Sequence, residues 1–188
     1  MMAKQFDRLA AAHVRFIEDQ HIYFTGTAAT TGRVNISPKG MDSLRVMSPN
    51  RILWLSVTGS GNETAAHLAD DPRMTLMWCA FSAQPLILRA YGTASVTHRG
   101  AAGWAGLAAH FPEIPGARQI YDLAIDLVQT SCGYAVPFMD FVEDRTTLRD
   151  WAARKGDEGL ADYWAEKNRS SIDGKPTGIE AAISARSA

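Results

Sequence analysis

The sequence predicts a mainly β protein with added helices (β+α), in which antiparallel strands form a small closed or split barrel. Strand-like segments follow one another with only short turns between them, and this order favours antiparallel pairing. Two long segments rich in apolar and aromatic residues, 73–81 and 86–96, flank the turn SAQP and are expected to pair as a hairpin. Strands and helices do not alternate along the chain, as a doubly wound α/β fold would require.

The N-terminal part is predicted to contain one helix followed by four strands. Apolar residues recur at spacings of three and four over about 4–19, which is the period of an amphipathic helix packed on a core. Alternating apolar and polar residues then predict strands, separated by Pro/Gly-rich turns such as PKGMD and SPNR. These strands cover 21–29, 30–37, 43–47 and 52–57.

A short helix is expected between the fourth strand and the hairpin. Asn62 belongs to a residue type that caps helix N-termini, and Pro72 marks the end of the helical pattern. Within the hairpin, Gly92 interrupts the second strand. It predicts a bulge or sharp bend, as small barrels need at their corners.

The second half of the chain is predicted to be largely helical. Helical spacing and charges at i,i+4 predict four helices, over 100–111, 116–131, 144–156 and 157–171. A last strand is expected over 132–142. The end, 172–188, is turn-rich and then small and polar, which is typical of a mobile tail.

Composition limits the possible partners and compartments. The 188 residues include 46% hydrophobic and 21% charged residues, with a net charge of −1, so no broad attraction to nucleic acid or an anionic membrane is expected. No apolar run has the length of a membrane span, and the N-terminus lacks the apolar core of a signal peptide. Two cysteines far apart do not form a disulfide framework. We therefore expect a cytoplasmic protein.

No motif for metal binding or nucleophilic catalysis is evident. The five histidines form no HxH or HExxH pair, although haem needs only one axial histidine and so stays open. There is no GxSxG motif. Cys79 lies in an apolar strand, and Cys132 has no evident base beside it, so both are interpreted as structural. We predict no metal site and name no catalytic residue.

Two polar loops carry a possible anion site. The loop RVNISPKGMDSLRV contains Lys39 and Arg45. The loop TGSGNETAAHL combines freely accessible glycine amides, the start of a helix, and the side chains of Thr58, Ser60, Asn62 and Thr64. Phosphate recognition uses such amides, hydroxyl or amide donors, and usually one fixed cation. If the loops meet, they form a complete anion site; otherwise the second loop is an ordinary turn.

The segment TGRVNISPKGMDSLRVMSPNRILWLSVTGSGNETAAHLADDPRMTLMWCAF, continued by LILRAYGTASV, resembles the core of the pyridoxamine 5′-phosphate oxidase-like flavoproteins, the FMN-binding split-barrel group. The resemblance covers about residues 6–97. It implies an FMN-binding antiparallel split barrel over 1–145 that includes the N-terminal helix. The C-terminal helices and a flexible tail, 146–188, would pack on the same domain. This later part resembles an uncharacterised subgroup labelled only as related to the oxidase.

The resemblance also implies a homodimer with FMN at the subunit interface. The strand from Val34 to Lys39 would lie along the flavin, which places Asn35, Ser37 and Lys39 at the cofactor. Val57 and Thr58 match the strand end whose hydroxyl meets the phosphate or ribityl chain. The oxidases grip the phosphate with an Arg-Lys pair, and here Glu63 and Thr64 stand at those positions. Lys39 and Arg45 would have to supply the missing charge.

The function implied is that of an FMN-dependent oxidoreductase, similar to flavin reductases, that acts on an unidentified small molecule. The C-terminal arginines that bind substrate phosphate in true pyridoxamine phosphate oxidases are not found, so that activity is not expected. The alternative is a non-catalytic carrier or sensor of haem, flavin or the deazaflavin F420 on the same fold.

Overall fold

The computed structural model describes residues 3–184, which form one eight-stranded antiparallel sheet with five helices. The strands are β1 (Lys4–Phe6), β2 (Tyr23–Ala28), β3 (Val34–Lys39), β4 (Leu44–Ser48), β5 (Arg51–Val57), β6 (Arg73–Cys79), β7 (Ile87–His98) and β8 (Ala117–Ser131). The helices are α1 (Ala11–Glu18), α2 (Glu63–Asp70), α3 (Trp104–Ala108), α4 (Thr147–Lys167) and α5 (Glu180–Ser184). No helix within residues 3–184 combines the length and the apolar character that crossing a bilayer requires.

The sheet has the split-barrel form, and the predicted fold class is confirmed. Its hydrogen-bonded order is β3-β2-β6-β7-β8-β5-β4, with β1 added along β8. The edge strands β3 and β4 share no ladder in the described chain, so the barrel stays open between them. Strand β5 is buried on both faces: Ile52 and Trp54 join the barrel core, and Leu53 and Leu55 pack beneath the α3 region.

The predicted hairpin and its irregular glycine are both confirmed. Strands β6 and β7 pair antiparallel, and the register of β7 with β8 shifts between Tyr91 and Gly92. A β-carbon at Gly92 would lie 1.9 Å from the carbonyl oxygen of Ala124. The bulge therefore brings two backbones so close that only glycine fits.

The largest correction concerns residues 116–131, where the predicted helix is wrong. It forms β8, the longest strand, at the centre of the sheet. The burial period is two through Tyr121, Leu123 and Ile125, and the bulge then moves the next core position to Val128. Spacings of two and three together imitate a helical period in the sequence.

Smaller corrections affect the ends of the chain. Lys4–Phe6 form a strand on β8 instead of the first turn of the N-terminal helix, and the strand predicted over 132–142 is irregular. The two predicted charged helices form α4, which is interrupted at Gly156, where φ is 65° and ψ is 174°. The predicted tail contains α5 and the fully buried Ile179, and its residues 185–188 lie outside the described residues.

Candidate functional site

A cavity of about 300 Å³ lies between β3, the end of β5 and the start of α2. Its wall contains every predicted site residue except Thr58 and Arg45. The wall consists of Asn35, Ser37, Lys39, Trp54, Ser56, Val57, Gly59, Ser60, Gly61, Asn62, Glu63, Thr64, Arg118 and Tyr121. The two polar loops therefore meet, as the anion-site hypothesis required.

Strand β3 contributes three polar side chains from one of its faces. Asn35, Ser37 and Lys39 alternate with exposed residues, and they pair across the ladder with β2 residues that face the barrel interior. Ser37 Oγ lies 3.0 Å from Thr25 Oγ1, and Asn35 Nδ2 lies 3.5 Å from Thr64 Oγ1. Because strand side chains alternate, this face is fixed once β3 pairs with β2.

The turn from Gly59 to Asn62 presents backbone donors to the cavity. The N–H groups of Gly59, Ser60 and Gly61 form no hydrogen bond within residues 3–184. Helix α2 begins directly after Asn62, so its N-terminal end adds a partial positive charge. Asn62 occupies the predicted N-cap position, but its side chain donates to the carbonyl of Asn168 and makes no capping hydrogen bond to the helix.

Arg118 is the cation that sequence reasoning missed. It lies on β8, is only 5% exposed and lines the cavity. Its guanidinium donates to Oδ1 of Asn168 at 2.5 Å and to the carbonyl of Gly61 at 2.9 Å. None of the carboxylates of residues 3–184 pairs with it, and burial lowers the pKa of Arg118. A buried, uncompensated positive charge therefore faces the cavity.

Lys39 provides a second cation to the same cavity wall. Its Nζ lies 5.1 Å from the centroid of the Trp54 ring, which stacks on Tyr121. Burial, with a smaller contribution from the charge of Arg118, lowers the pKa of Lys39 to about 8. A bound anion would act against the lowered pKa of both cations, since it supplies an opposite charge that favours their charged forms.

The structure places Thr58 and Arg45 outside the cavity. The Thr58 hydroxyl is fully buried; it donates to the carbonyl of Gly116 and accepts from Nε1 of Trp164, both at 2.8 Å. It therefore joins β5 to the C-terminal helix. Arg45 pairs with Asp42 and donates to the carbonyl of His110. These contacts point its charge away from the glycine turn.

Glu63 has a structural partner that explains an acidic residue at this position. Both of its carboxylate oxygens accept from the backbone N–H of Ile172 at 3.1 Å. The carboxylate thus holds the segment after α4 against the start of α2. A second cavity, of about 560 Å³, lies beside this contact and shares Asn35, Ser60, Gly61 and Glu63 itself with the first.

Asn168 connects the C-terminal segment to the cavity. It is fully buried at the end of α4, and its Nδ2 donates to the carbonyl of Gly59 at 3.2 Å. Its Oδ1 accepts from Arg118, and its backbone carbonyl accepts from Asn62 and Thr177. Asn168 therefore fixes both the glycine turn and the guanidinium of Arg118. This role could not be predicted from the sequence, because it depends on the position of β8.

Two buried side-chain polar atoms in the described chain lack a hydrogen-bond partner, Oδ1 of Asn62 and Nε of Arg118. Both belong to residues of this cavity wall. Unpaired buried polar groups are uncommon in folded proteins, so their coincidence here indicates a place where a ligand completes the hydrogen bonding. No histidine lines this cavity within residues 3–184, and that part of the chain holds no group of three metal-ligating side chains.

Comparisons with known proteins point to one family. The model of the pyridoxamine 5′-phosphate oxidase family matches residues 9–132. The family protein ustO of Aspergillus flavus is 33% identical over 184 residues, which cover 87% of this chain and 73% of ustO.

Two solved structures share the fold at low sequence identity. One is a Lactobacillus delbrueckii protein for which pyridoxamine 5′-phosphate oxidase activity has been suggested (TM-score 0.54, 21% identity, 68% of this chain and 98% of that one). The other is a variant of HupZ from Group A Streptococcus (TM-score 0.53, 18% identity, 65% and 98%). The chain therefore belongs to the pyridoxamine 5′-phosphate oxidase family.

Proposed function

We propose that this chain is an FMN-binding flavoprotein, an oxidoreductase that acts on a small molecule as a homodimer with the cofactor at the subunit interface. The observation that carries the proposal is the buried guanidinium of Arg118, which faces the cavity without a carboxylate partner within residues 3–184. Burying an uncompensated charge is costly, so the cavity is expected to bind an anion. Family membership makes the phosphate of FMN the natural candidate.

The residues of the cavity fit a phosphate. Arg118 and Lys39 supply positive charge, and the turn from Gly59 to Gly61 supplies N–H donors at the start of a helix. The missing Arg-Lys pair at Glu63 and Thr64 is therefore compensated from β8 and β3. Arg45, which the sequence suggested for this role, is not needed.

The rest of the cofactor would lie along β3. Asn35 and Ser37 provide polar contacts for the ribityl chain, and Trp54 and Tyr121 provide an aromatic wall. When bound, FMN supplies hydride or single-electron transfer. The protein binds and orients it, and Lys39 Nζ, with a pKa of about 8, can hold or release a proton beside it near neutral pH.

The substrate is expected to differ from pyridoxamine 5′-phosphate, because the arginines that would bind the substrate phosphate were not found at the C-terminus. The alternative is a non-catalytic carrier or sensor of haem, flavin or F420 on the same fold. No histidine of residues 3–184 lines this cavity, which favours a flavin-type cofactor over haem. F420 also carries a phosphate, so the cations alone do not separate it from FMN.

The decisive test is the absorption spectrum of freshly purified protein, followed by titration with FMN. We expect either a flavin absorption spectrum of the purified protein or stoichiometric quenching of FMN fluorescence on titration. Riboflavin, which lacks the phosphate, is the matched control and is expected to bind more weakly. Protein that carries no flavin and binds no added FMN would refute the proposal. If FMN binds, oxidoreductase activity is tested by screening electron donors against the FMN-loaded protein.

A further inference from the structure

We propose that residues 134–142, named here the apolar strap, pack across the outer face of the sheet in a second copy of the chain. The outer face is the side of β2, β3, β6 and β7 that points away from the barrel core. The proposal rests on the homodimer of the proposed function and specifies the contact that forms it.

The apolar strap exposes more large apolar surface than any other segment of similar length in the described chain. Phe138 is 80% exposed and Val142 is 88% exposed, and Tyr134, Met139 and Phe141 are also exposed. The strap has no helix or strand of its own. Contiguous exposed apolar side chains are rare on monomeric proteins and mark surfaces that another molecule covers.

The strap is held along the rim of its own sheet by its backbone and by Phe141, which leaves Phe138 and Val142 largely exposed. Gly133 packs on the backbone of Leu86, just before β7, and Met139 N–H donates to the carbonyl of Phe81, just after β6. Phe141 stacks on His21, just before β2, with ring centroids 3.7 Å apart. The strap therefore runs past the ends of three strands and does not lie across the face of its own sheet.

The outer face is an apolar surface with a central groove. The ladders place Ile36, Gly26, Thr75 and Tyr91 side by side in one cross-strand row. The next row consists of Pro38, Phe24, Met77 and Arg89. Because Gly26 has no side chain, the first row is interrupted, and a cavity of about 600 Å³ lies there. Val34 and Ile36 are each 70% exposed at its edge.

The charges of the two surfaces are complementary. The strap carries Asp140 and is followed by Glu143 and Asp144, which have no ion-pair partner within residues 3–184. The outer face carries the half-buried Arg89, whose guanidinium donates to Ser131 Oγ at 3.2 Å and pairs with no carboxylate of that same range. The groove also contains the exposed Asp126, so the acids of the strap are expected to lie over Arg89. An unpaired base in one surface and exposed acids in the other favour association there.

A second copy of this chain is the partner that the observations favour. Both complementary surfaces belong to one chain. In a two-fold symmetric dimer the strap of each copy packs on the outer face of the other, so the same contact forms twice. The outer face also includes the back of β3, whose front holds Asn35, Ser37 and Lys39. A partner strap on that strand would lie next to the flavin cavity and would fix the edge strand that binds the cofactor.

Photocrosslinking tests the contact directly. Phe138→p-benzoyl-phenylalanine keeps an aromatic side chain in the strap and is expected to preserve the fold. Irradiation of a mixture of ¹⁴N- and ¹⁵N-labelled protein should give mixed-isotope dimers, with crosslinks in 24–39 or 73–92 of the other copy. Val142→Asp should weaken the dimer at least about tenfold by sedimentation equilibrium, since it places a charge in an apolar contact. Ala105→Asp, an equal charge on exposed α3, should not weaken it.

The possible outcomes separate this inference from the proposed function. Mixed-isotope crosslinks to the outer face would support the strap contact. A dimer whose crosslinks lie elsewhere, or within one chain, would overturn the strap contact and leave the homodimer standing. A monomer at micromolar concentration would overturn both. FMN binding by the same samples is measured in parallel: FMN binding by a dimer whose crosslinks lie elsewhere would overturn the strap contact and leave the flavin proposal standing.

Discussion

Arg118 on β8 and Asn168 at the end of α4 are joined by a 2.5 Å hydrogen bond, and each also holds a carbonyl of the glycine turn, Gly61 and Gly59 respectively. The C-terminal segment is thus built into the cavity rather than attached beside it. Arg118 thus brings a positive charge from the centre of the sheet to a glycine turn that contains no cation of its own.

Asn168 can be tested by two substitutions of graded effect. Asn168→Ala removes the acceptor for Arg118 and the donor for Gly59, so FMN affinity should fall by about 1 to 3 kcal/mol. Asn168→Asp places a carboxylate against the guanidinium and should weaken FMN further, because the new charge competes with the phosphate. Isothermal titration calorimetry measures both. Equal affinity for FMN in the wild type and Asn168→Asp would show that Arg118 does not serve the anion.

The depressed pKa of Lys39 predicts a pH dependence of FMN binding. Because burial and Arg118 lower this pKa to about 8, Lys39 is charged at pH 7 and increasingly neutral above pH 8. Affinity for the phosphate dianion should therefore be full below pH 8 and fall as pH rises, by up to about tenfold per pH unit.

Two controls apply to this dependence. Lys39→Met should bind FMN more weakly at pH 7 and lose most of the pH dependence between pH 7 and 9. Riboflavin, without a phosphate, should show little of it in the wild-type protein. If the wild type and Lys39→Met had parallel pH profiles, another group would be responsible.

Glu63 is expected to weaken phosphate binding while it stabilises the fold. Glu63→Gln keeps an oxygen acceptor for the N–H of Ile172 but removes the negative charge from the cavity wall. FMN affinity should rise by up to about 1 kcal/mol, the scale of a partly exposed charge interaction, and riboflavin affinity should not change. Fluorescence titration measures both ligands, and a lower affinity of Glu63→Gln for FMN would contradict the expected repulsion. Glu63→Arg is a less specific test, because it also removes the oxygen that accepts from the N–H of Ile172.

The bulge at Gly92 predicts a large effect of one methyl group on stability. Gly92→Ala would bring a β-carbon to 1.9 Å from the Ala124 carbonyl, so the free energy of unfolding should fall by about 2 to 4 kcal/mol. Gly106→Ala in α3 is the matched control, since a β-carbon there meets no heavy atom within 4 Å. It should be neutral or stabilise by up to about 1 kcal/mol. Urea denaturation compares the two, and similar values would argue against the bulge.

The sequence predicted the first half of the fold well because its strands are short, alternating and separated by turn residues. It failed at β8, where Arg118 and Gln119 are buried beside Ile120 and Tyr121, so that both faces of the strand are covered. A strand buried on both faces loses its alternation, and the bulge opposite Gly92 shifts the remaining pattern. Neither effect can be read without the partner strands.

The same failure explains what was missed in the site. Lys39 and the glycine turn were found because they lie in polar loops typical of anion binding, and Asn35 was found because it lies in the segment that resembles the family. Arg118 was hidden in a segment predicted as a helix, and Asn168 lies 50 residues further along the chain. The only signal in the sequence was the single Arg118 at the start of a largely apolar segment. Its role as a cation of the site depends on the cavity that tertiary packing creates around it.

The measurement that tests the account most directly is the affinity of FMN and riboflavin for wild-type protein and for Arg118→Met, a substitution of similar length without the charge. The account predicts that Arg118→Met loses at least about 2 kcal/mol of FMN affinity, the scale of a charge-assisted hydrogen bond, while riboflavin binds as before. Equal losses for the two ligands, or no loss for FMN, would show that Arg118 does not bind the phosphate.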